Sequence, residues 1–357
     1  MKKFYLKSDN EIKNFILNSK WLLLFLLMFA NTFTFTNAQS VHPPSAIPIP
    51  SYGVWDRGDQ FIVDTKNSIY DFVKGIRADI IWSELETLPG VYNWSTFDAM
   101  VQTAATNNKL VYTNLLVGPE SPAWVYTNGV PKVLTSSTQF NGEFPYYLDP
   151  EYIYFYYNII AQFGQHIRTL SQNLRKKIIF VQVMTGCTGD EVAYKGTVKP
   201  EYQSYNISDA EWLNFRIKAF NEFKKSFYDG DVSTRVPMLF NSVTPDEGSY
   251  LEAWNWITTN IGSGFGIKGS AYVRGHHLDS QLEFKNFWYD YLVNPQNLSL
   301  FSRAEMDQSF TKPLYNINLP LGFYWGMLSG LSTGLSVWDL SAGAIQAAIS
   351  GSRNILL

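Results

Sequence analysis

Glu191 and Glu305 each follow a strongly apolar, strand-like run. The run over 177–184 reads Lys-Ile-Ile-Phe-Val-Gln-Val-Met and opens into Thr185-Gly186-Cys187-Thr188-Gly189-Asp190-Glu191. The run over 298–302 reads Leu-Ser-Leu-Phe-Ser and opens into Arg303-Ala304-Glu305-Met306-Asp307. Two carboxylates far apart in sequence, each at the C-terminal end of a strand, suit cleavage of a glycosidic bond. In the retaining version one carboxylic acid protonates the leaving oxygen while the other carboxylate attacks the anomeric carbon, the two standing about 5–5.5 Å apart. Glu191 and Glu305 fit the ends of the fourth and seventh strands for these two parts. Asp190 competes for the fourth-strand part, and Glu191 is preferred for its longer reach. Gly186 and Gly189 flank the turn and allow the backbone a close approach to a ligand.

Carboxylates so placed need a frame that gathers strand ends, and the chain alternates strand and helix signals throughout. Strands are predicted at 51–55, 76–82, 110–116, 178–184, 237–240, 265–273, 298–302 and 335–338. Helices are predicted at 60–73 (weak), 96–106, 151–170, 209–227 (capped by Ser208 or Asp209), 250–261, 282–292, 321–331 and 342–349. Eight strands alternating with helices imply a parallel sheet, and about 310 residues suit one (β/α)₈ barrel, an α/β fold of the TIM type. The competing doubly wound sheet would carry a Gly-rich phosphate loop after its first strand. Here that strand ends Gly53-Val54-Trp55-Asp56-Arg57-Gly58, which is not that motif.

Composition narrows the partners. Charged residues make up 17 % of the 357, aromatic residues 16 %, and the formal net charge is −3. That balance gives no global attraction to nucleic acid, whereas abundant Trp and Tyr suit stacking on sugar rings. The N-terminus reads as an export signal. Lys2, Lys3, Lys7, Lys13 and Lys20 precede the apolar run 21–30, and Thr36 and Ala38 sit at −3 and −1 of a cleavage point before Gln39. The run is too short for a membrane span. The expected organisation is a signal peptide at 1–38, a Pro- and Ser-rich linker at 39–50 and a catalytic domain at 51–357. The protein would be secreted or periplasmic, of bacterial type, with no stable membrane insertion after cleavage; an uncleaved anchor is the alternative. Cys187 is the only cysteine, so no internal disulfide exists. As a nucleophile it would need a nearby His and a lowered pKa.

A family resemblance enters at 82–94, where Trp82-Ser83-Glu84-Leu85-Glu86-Thr87-Leu88-Pro89-Gly90-Val91-Tyr92-Asn93-Trp94 resembles the W-x-x-L-E-P-x-x-G-x-Y-x-W/F stretch of β-galactosidase-type enzymes in clan A of the glycoside hydrolases. Gly118-Pro119-Glu120-Ser121-Pro122-Ala123-Trp124 resembles the same family's turn after the third strand. The run from Gly189 to Gly196, with Tyr194 and Lys195, is similar to the Gly-rich acid loops of related barrels. Arg303-Ala304-Glu305 resembles the nucleophile stretch, and Gly334-Leu335-Ser336-Val337-Trp338 the eighth strand, whose Trp floors the sugar subsite. One departure is plain: many clan members carry Asn before the acid, and here Asp190 stands there. The resemblance, over 51–349, implies a retaining (β/α)₈ glycosidase acting on a β-linked galactan of the agar, porphyran or carrageenan type. It also implies that Tyr272 hydrogen-bonds the nucleophile.

Trp338 and Trp124 are the first candidates for sugar stacking, with Trp82 also in the binding set; a Trp in a barrel otherwise belongs to the core. His276 is a candidate substrate contact. Adjacent His276 and His277 point in different directions and no third ligand stands at zinc spacing, so no metal is expected and no cofactor. Arg57, Arg77, Lys195 and Arg274 could meet a sulfate or carboxylate, or simply be surface residues. Two other readings remain: a non-catalytic barrel that binds polysaccharide, and a polysaccharide lyase using Tyr272 with His276.

Overall fold

A computed structural model describes residues 47–48, 51–56, 72–187, 192–241, 250–262, 264–269, 301–305 and 337–340. Eight parallel strands close on themselves: β1 (Gly53–Asp56), β2 (Val73–Ile81), β3 (Leu110–Leu116), β6 (Ile178–Gln182), β7 (Met238–Asn241), β8 (Gly266–Gly269), β9 (Phe301–Glu305) and β10 (Val337–Leu340). The protein is a (β/α)₈ barrel, as the alternation predicts. Between β3 and β6 the chain inserts a small antiparallel pair, β4 (Lys132–Leu134) with β5 (Glu143–Pro145). The chain divides at Pro43/Pro44 into two compact units, and the first lies outside the described residues.

The barrel closes because its lower interior is filled by large rings. Tyr112 stacks on Phe180 at 4.8 Å between centroids, and Trp55 and Phe301 pack at 5.6 and 5.2 Å from these two. Glycines make room for them. A Cβ on Gly75 would fall 2.3 Å from the Trp55 ring, and one on Gly266 2.3 Å from the Phe301 ring. Ile47, expected in the linker, is buried in this cluster, and Ser51 folds back on the Pro48 carbonyl. The chain thus packs against the barrel interior ahead of β1, which begins at Gly53.

Helices cover the outside. In Pro150–Thr169 the Asp149 carboxylate caps the first turn by accepting the N–H of Glu151 and Tyr152, with Pro150 preset for the helix. Its buried stripe of Tyr152, Tyr156, Ile159, Ile160, Phe163 and Ile167 has helical spacing. Asp209–Phe223 opens on a capping box between Ser208 and Glu211, as the sequence suggests, and ends in a π-helical turn at Lys224–Tyr228.

Several boundaries differ from expectation. β2 starts at Val73, so the last residue of the weak helix predicted for 60–73 belongs to the strand; residues 60–71 lie outside the described residues. Strand β9 runs through Glu305 instead of stopping at 302. β10 occupies Val337–Leu340, two residues later than predicted. The helices predicted at 282–292, 321–331 and 342–349 lie outside the described residues. Among the described residues, no helix is long and apolar enough to cross a membrane.

Candidate active site

Within a parallel barrel, later residues of each strand lie nearer the C-terminal rim, and here the interior changes character along that direction. Tyr112, Phe180, Leu239 and Phe301 are followed two residues on by Asn114, Gln182, Asn241 and Arg303. The polar set is hydrogen-bonded across strands. Arg303 Nε donates to the Tyr112 hydroxyl at 3.0 Å and Nη1 to Gln182 Oε1 at 2.7 Å. Gln182 Nε2 donates to Asn241 Oδ1 at 3.1 Å. Asn114 Nδ2 donates to Asp79 Oδ1 at 2.6 Å, and Asp79 also pairs with Arg77. Among the described residues Asn114 Oδ1 is buried with no partner, an acceptor left for a water or a ligand hydroxyl. A polar layer just beneath the rim can carry charge-dependent chemistry at the mouth; an apolar one could not.

At the end of β2, the segment that carries the family resemblance is architectural. Glu86 is buried and accepts the Trp82 indole N–H at 2.8 Å and the Gly90 backbone N–H at 2.7 Å. It thereby folds the Leu88-Pro89-Gly90 turn back onto the strand end. Tyr92, whose hydroxyl accepts an N–H from Asn158, has its pKa pushed up to about 12 by burial and by the neighbouring Glu86. Trp82 is fully buried, its ring against Trp124 at 6.2 Å and Tyr152 at 6.1 Å. It has no face for a sugar, which corrects its place in the expected binding set. Trp124 is half-buried. Its indole N–H donates to the Glu86 carbonyl at 2.7 Å, and Phe155 packs edge-on at 5.0 Å.

After β3 the chain turns through Gly118–Glu120. Glu120 was passed over within the turn quoted for its Pro and Trp, yet it is a carboxyl directly after a barrel strand. Burial, and then the charge of Glu84 after β2, raise its pKa above the ordinary carboxylate value. Position after the strand was the signal that could have found it.

The fourth barrel strand, β6, leads into the loop of the expected acid. The Tyr156 hydroxyl donates to the Met184 carbonyl, and the Val183 N–H continues the ladder to Leu239 O at 2.8 Å. Cys187 is fully buried, away from any reactive surface. Beyond the loop, residues 192–199 are tied to the inserted β4–β5 unit. Ser136 N–H donates to Thr197 O at 2.8 Å, and Lys199 N–H to Leu134 O at 2.9 Å. A cavity of about 390 Å³ lies between this segment and helix Asp209–Phe223, lined by Tyr194, Thr197, Asn206, Trp212 and Arg216 among others. Arg216 is buried there and donates to the Asn241 carbonyl at 2.6 Å, joining the helix to the end of β7.

Of the residues singled out in the sequence, Glu305 is the last residue of β9, level with Asp339 of β10. Trp338 lies within β10, level with Ala304 and Val54, one step below the level of Glu305. Glu191, Asp190, Tyr272 and His276 lie outside the described residues, and with them the separation of the two glutamates. Arg77, weighed as an anion contact, pairs with Asp79. Asp79, Asn114, Gln182, Asn241 and Arg303 escaped notice as a group because each sits singly in an otherwise apolar strand. Among the described residues, no group of three or more His, Cys, Asp or Glu could hold a metal ion.

No family model matches the chain. No curated protein matches it either. Among solved structures it is similar to a psychrophilic glycoside hydrolase family 10 endo-β-1,4-xylanase, with a TM-score of 0.45 and 12 % identity over 81 % of this chain and 86 % of that one. It is also similar to xylanase XynB from Paenibacillus barcinonensis, complexed with a conduramine derivative, with a TM-score of 0.46 and 14 % identity over 85 % of this chain and 88 % of that one.

Proposed function

We propose that the chain is a retaining glycoside hydrolase that cleaves β-glycosidic bonds in a polysaccharide, with Glu305 as nucleophile and Glu191 as acid and then base. The observation that supports this most is the position of Glu305 at the C-terminal end of the seventh strand of a closed barrel, above a polar interior layer. The fourth strand opens on the same rim into the Gly-containing loop that carries Glu191. Carboxylates from different strands meeting at this face are what double displacement at an anomeric carbon requires. Trp338 and Trp124 are proposed to stack on the sugar, and Tyr272, His276 and Asp190 to contact it. The substrate proposed is a galactan of the agar, porphyran or carrageenan type, by the resemblance of 82–94 and 334–338. Export behind a leader cleaved before Gln39 would bring the enzyme to it.

Incubation with agar, porphyran, carrageenans and xylan, followed by product analysis, tests this directly. Hydrolysis of a galactan, with the first product formed in the substrate's own anomeric configuration, is expected. Products ending in an unsaturated sugar would mean a lyase instead. Tight binding with no products would mean a binding barrel.

A further inference from the structure

The cavity beside helix Asp209–Phe223 has three walls, and each is fixed. The helix presents Asp209, Trp212, Leu213 and Arg216, spaced i, i+3, i+4 and i+7 and so on one face. The second wall, segment 192–198, is tied to the β4–β5 insert: the Ser136 N–H donates to Thr197 O at 2.8 Å, and the Thr197 N–H to Ser136 Oγ at 3.0 Å. Gly196, at a φ of +74°, lets this segment lie against the insert, where a Cβ would fall 2.6 Å from the Ser137 nitrogen. The third wall, Asn206 and Ile207, is joined to Tyr194, whose hydroxyl donates to the Tyr205 carbonyl at 3.1 Å. Walls held in this way need little ordering when a ligand enters. At about 390 Å³ the cavity is at the lower end of the range of about 300–1,000 Å³ for ligand sites, room for one ring and not for a stretch of chain.

The lining changes from mouth to floor. Thr197, Asn206 and Asp209 are exposed, whereas Ala193, Trp212, Leu213 and Arg216 are buried. Among the described residues the Thr197 hydroxyl and the Asp209 carboxylate are bonded to no other group. Asn206 donates its amide N–H to Gln203 and keeps its side-chain oxygen as an acceptor. Polar groups around the mouth of an apolar wall suit a ring with hydroxyls at its edge and C–H bonds on its face. The Asp209 carboxylate at the mouth repels an anion, and at the floor Arg216 already donates to the Asn241 carbonyl at 2.6 Å.

We propose that this cavity binds one neutral sugar unit of the polysaccharide, with the C–H face of the ring against Ala193 and Leu213 and its hydroxyls on Thr197, Asn206 and Asp209. Val192, which lines the cavity, follows Glu191 directly in the chain, so the site adjoins the loop that carries the proposed acid. The choice of a sugar rests on the reading of the chain as a polysaccharide hydrolase. It adds a holding point apart from the strand ends, and a preference there for an uncharged unit over a sulfated one.

The test is methyl NMR of the full chain with carbon-13 in its Ala, Val, Leu and Ile methyls, carrying Glu305→Gln so that the ligand is not cleaved. A neutral agar tetrasaccharide is the probe. The methyl signals of Ala193, Val198 and Leu213 should shift and saturate. Asp209→Ala, at an exposed position, should weaken that binding about tenfold or more, as loss of a hydrogen bond to a charged group does. Ala193→Leu, which fills the cavity, should abolish the shifts at Val198 and Leu213; if it does not fold, Asp209→Ala carries the test. Cavity methyls unmoved by the sugar, or Asp209→Ala binding as tightly as its parent, overturns the proposal. So does tighter binding of a sulfated carrageenan tetrasaccharide at the same methyls. Cavity binding, with no glycoside hydrolysed by the unsubstituted chain, would refute the functional reading and leave this site standing. Hydrolysis of agar with the cavity methyls unmoved would do the reverse.

Discussion

The carboxylate of Glu86 accepts the indole N–H of Trp82 at 2.8 Å, within the core that joins the barrel to its outer helices. The two residues are four apart: Trp82 opens the short helix Trp82–Leu85 that follows β2, and Glu86 is its C-cap. Their bond makes the most recognisable stretch of this sequence a piece of scaffolding. Trp82→Phe leaves a buried carboxylate oxygen without its donor, which costs about 1–3 kcal/mol. Urea denaturation should show that loss, while the KM for polysaccharide stays within about twofold, well short of the tenfold that 1.4 kcal/mol of lost binding would give. A stable variant with weakened substrate binding would return Trp82 to the binding site.

Gly118 and Gly90 make a matched pair for separating backbone strain from crowding. Both have positive φ, +70° and +75°, but a Cβ on Gly118 would lie 2.4 Å from the Tyr147 hydroxyl, whereas one on Gly90 meets nothing within 4 Å. Gly90→Ala should cost about 1–2 kcal/mol, the left-handed penalty alone. Gly118→Ala should cost about 1–3 kcal/mol more, from overpacking. Among the described residues the Tyr147 hydroxyl is buried without a partner, so Tyr147→Phe should be close to neutral alone and should recover part of the Gly118→Ala loss. Equal costs at the two glycines would contradict this packing.

Glu120 predicts a pH dependence of stability. Burial first, and then Glu84, raise its pKa in the folded state, so the folded protein holds the proton more tightly than the unfolded chain. The stability this contributes is fully present below the unfolded carboxylate pKa of about 4.3 and is lost as pH rises through the folded value. Glu120→Gln removes that dependence. The variant should gain on wild type between pH 4 and pH 7 in thermal unfolding; a gain that is the same at both pH values would count against the assignment.

The barrel was legible because its signals are local. Eight apolar runs separated by helical spacing suffice to imply a parallel closed sheet. Boundaries were less so. Leu335-Ser336-Val337-Trp338 carries no charge and no Pro to mark where β10 begins, and the strand sits two residues later. Trp82 could have been read correctly, since a Glu four residues on is at helical hydrogen-bonding distance. Sequence gives no such local signal for the polar floor. Arg303 meets Gln182 across 121 residues and Tyr112 across 191, contacts that exist only once the barrel has closed.

The central claim is that Glu305 attacks the anomeric carbon, and chemical rescue tests it most directly. Glu305→Ala should lose nearly all activity, by a factor on the order of 10³ or more if the covalent step is abolished. Sodium azide should then restore turnover of an activated aryl glycoside of the preferred sugar. The product, read by proton NMR, should be a glycosyl azide of inverted configuration, because azide enters the space the carboxylate vacates. A Glu305→Ala variant that keeps wild-type activity, or one rescued to a glycosyl azide of retained configuration, would contradict the account and place the nucleophile elsewhere on the rim.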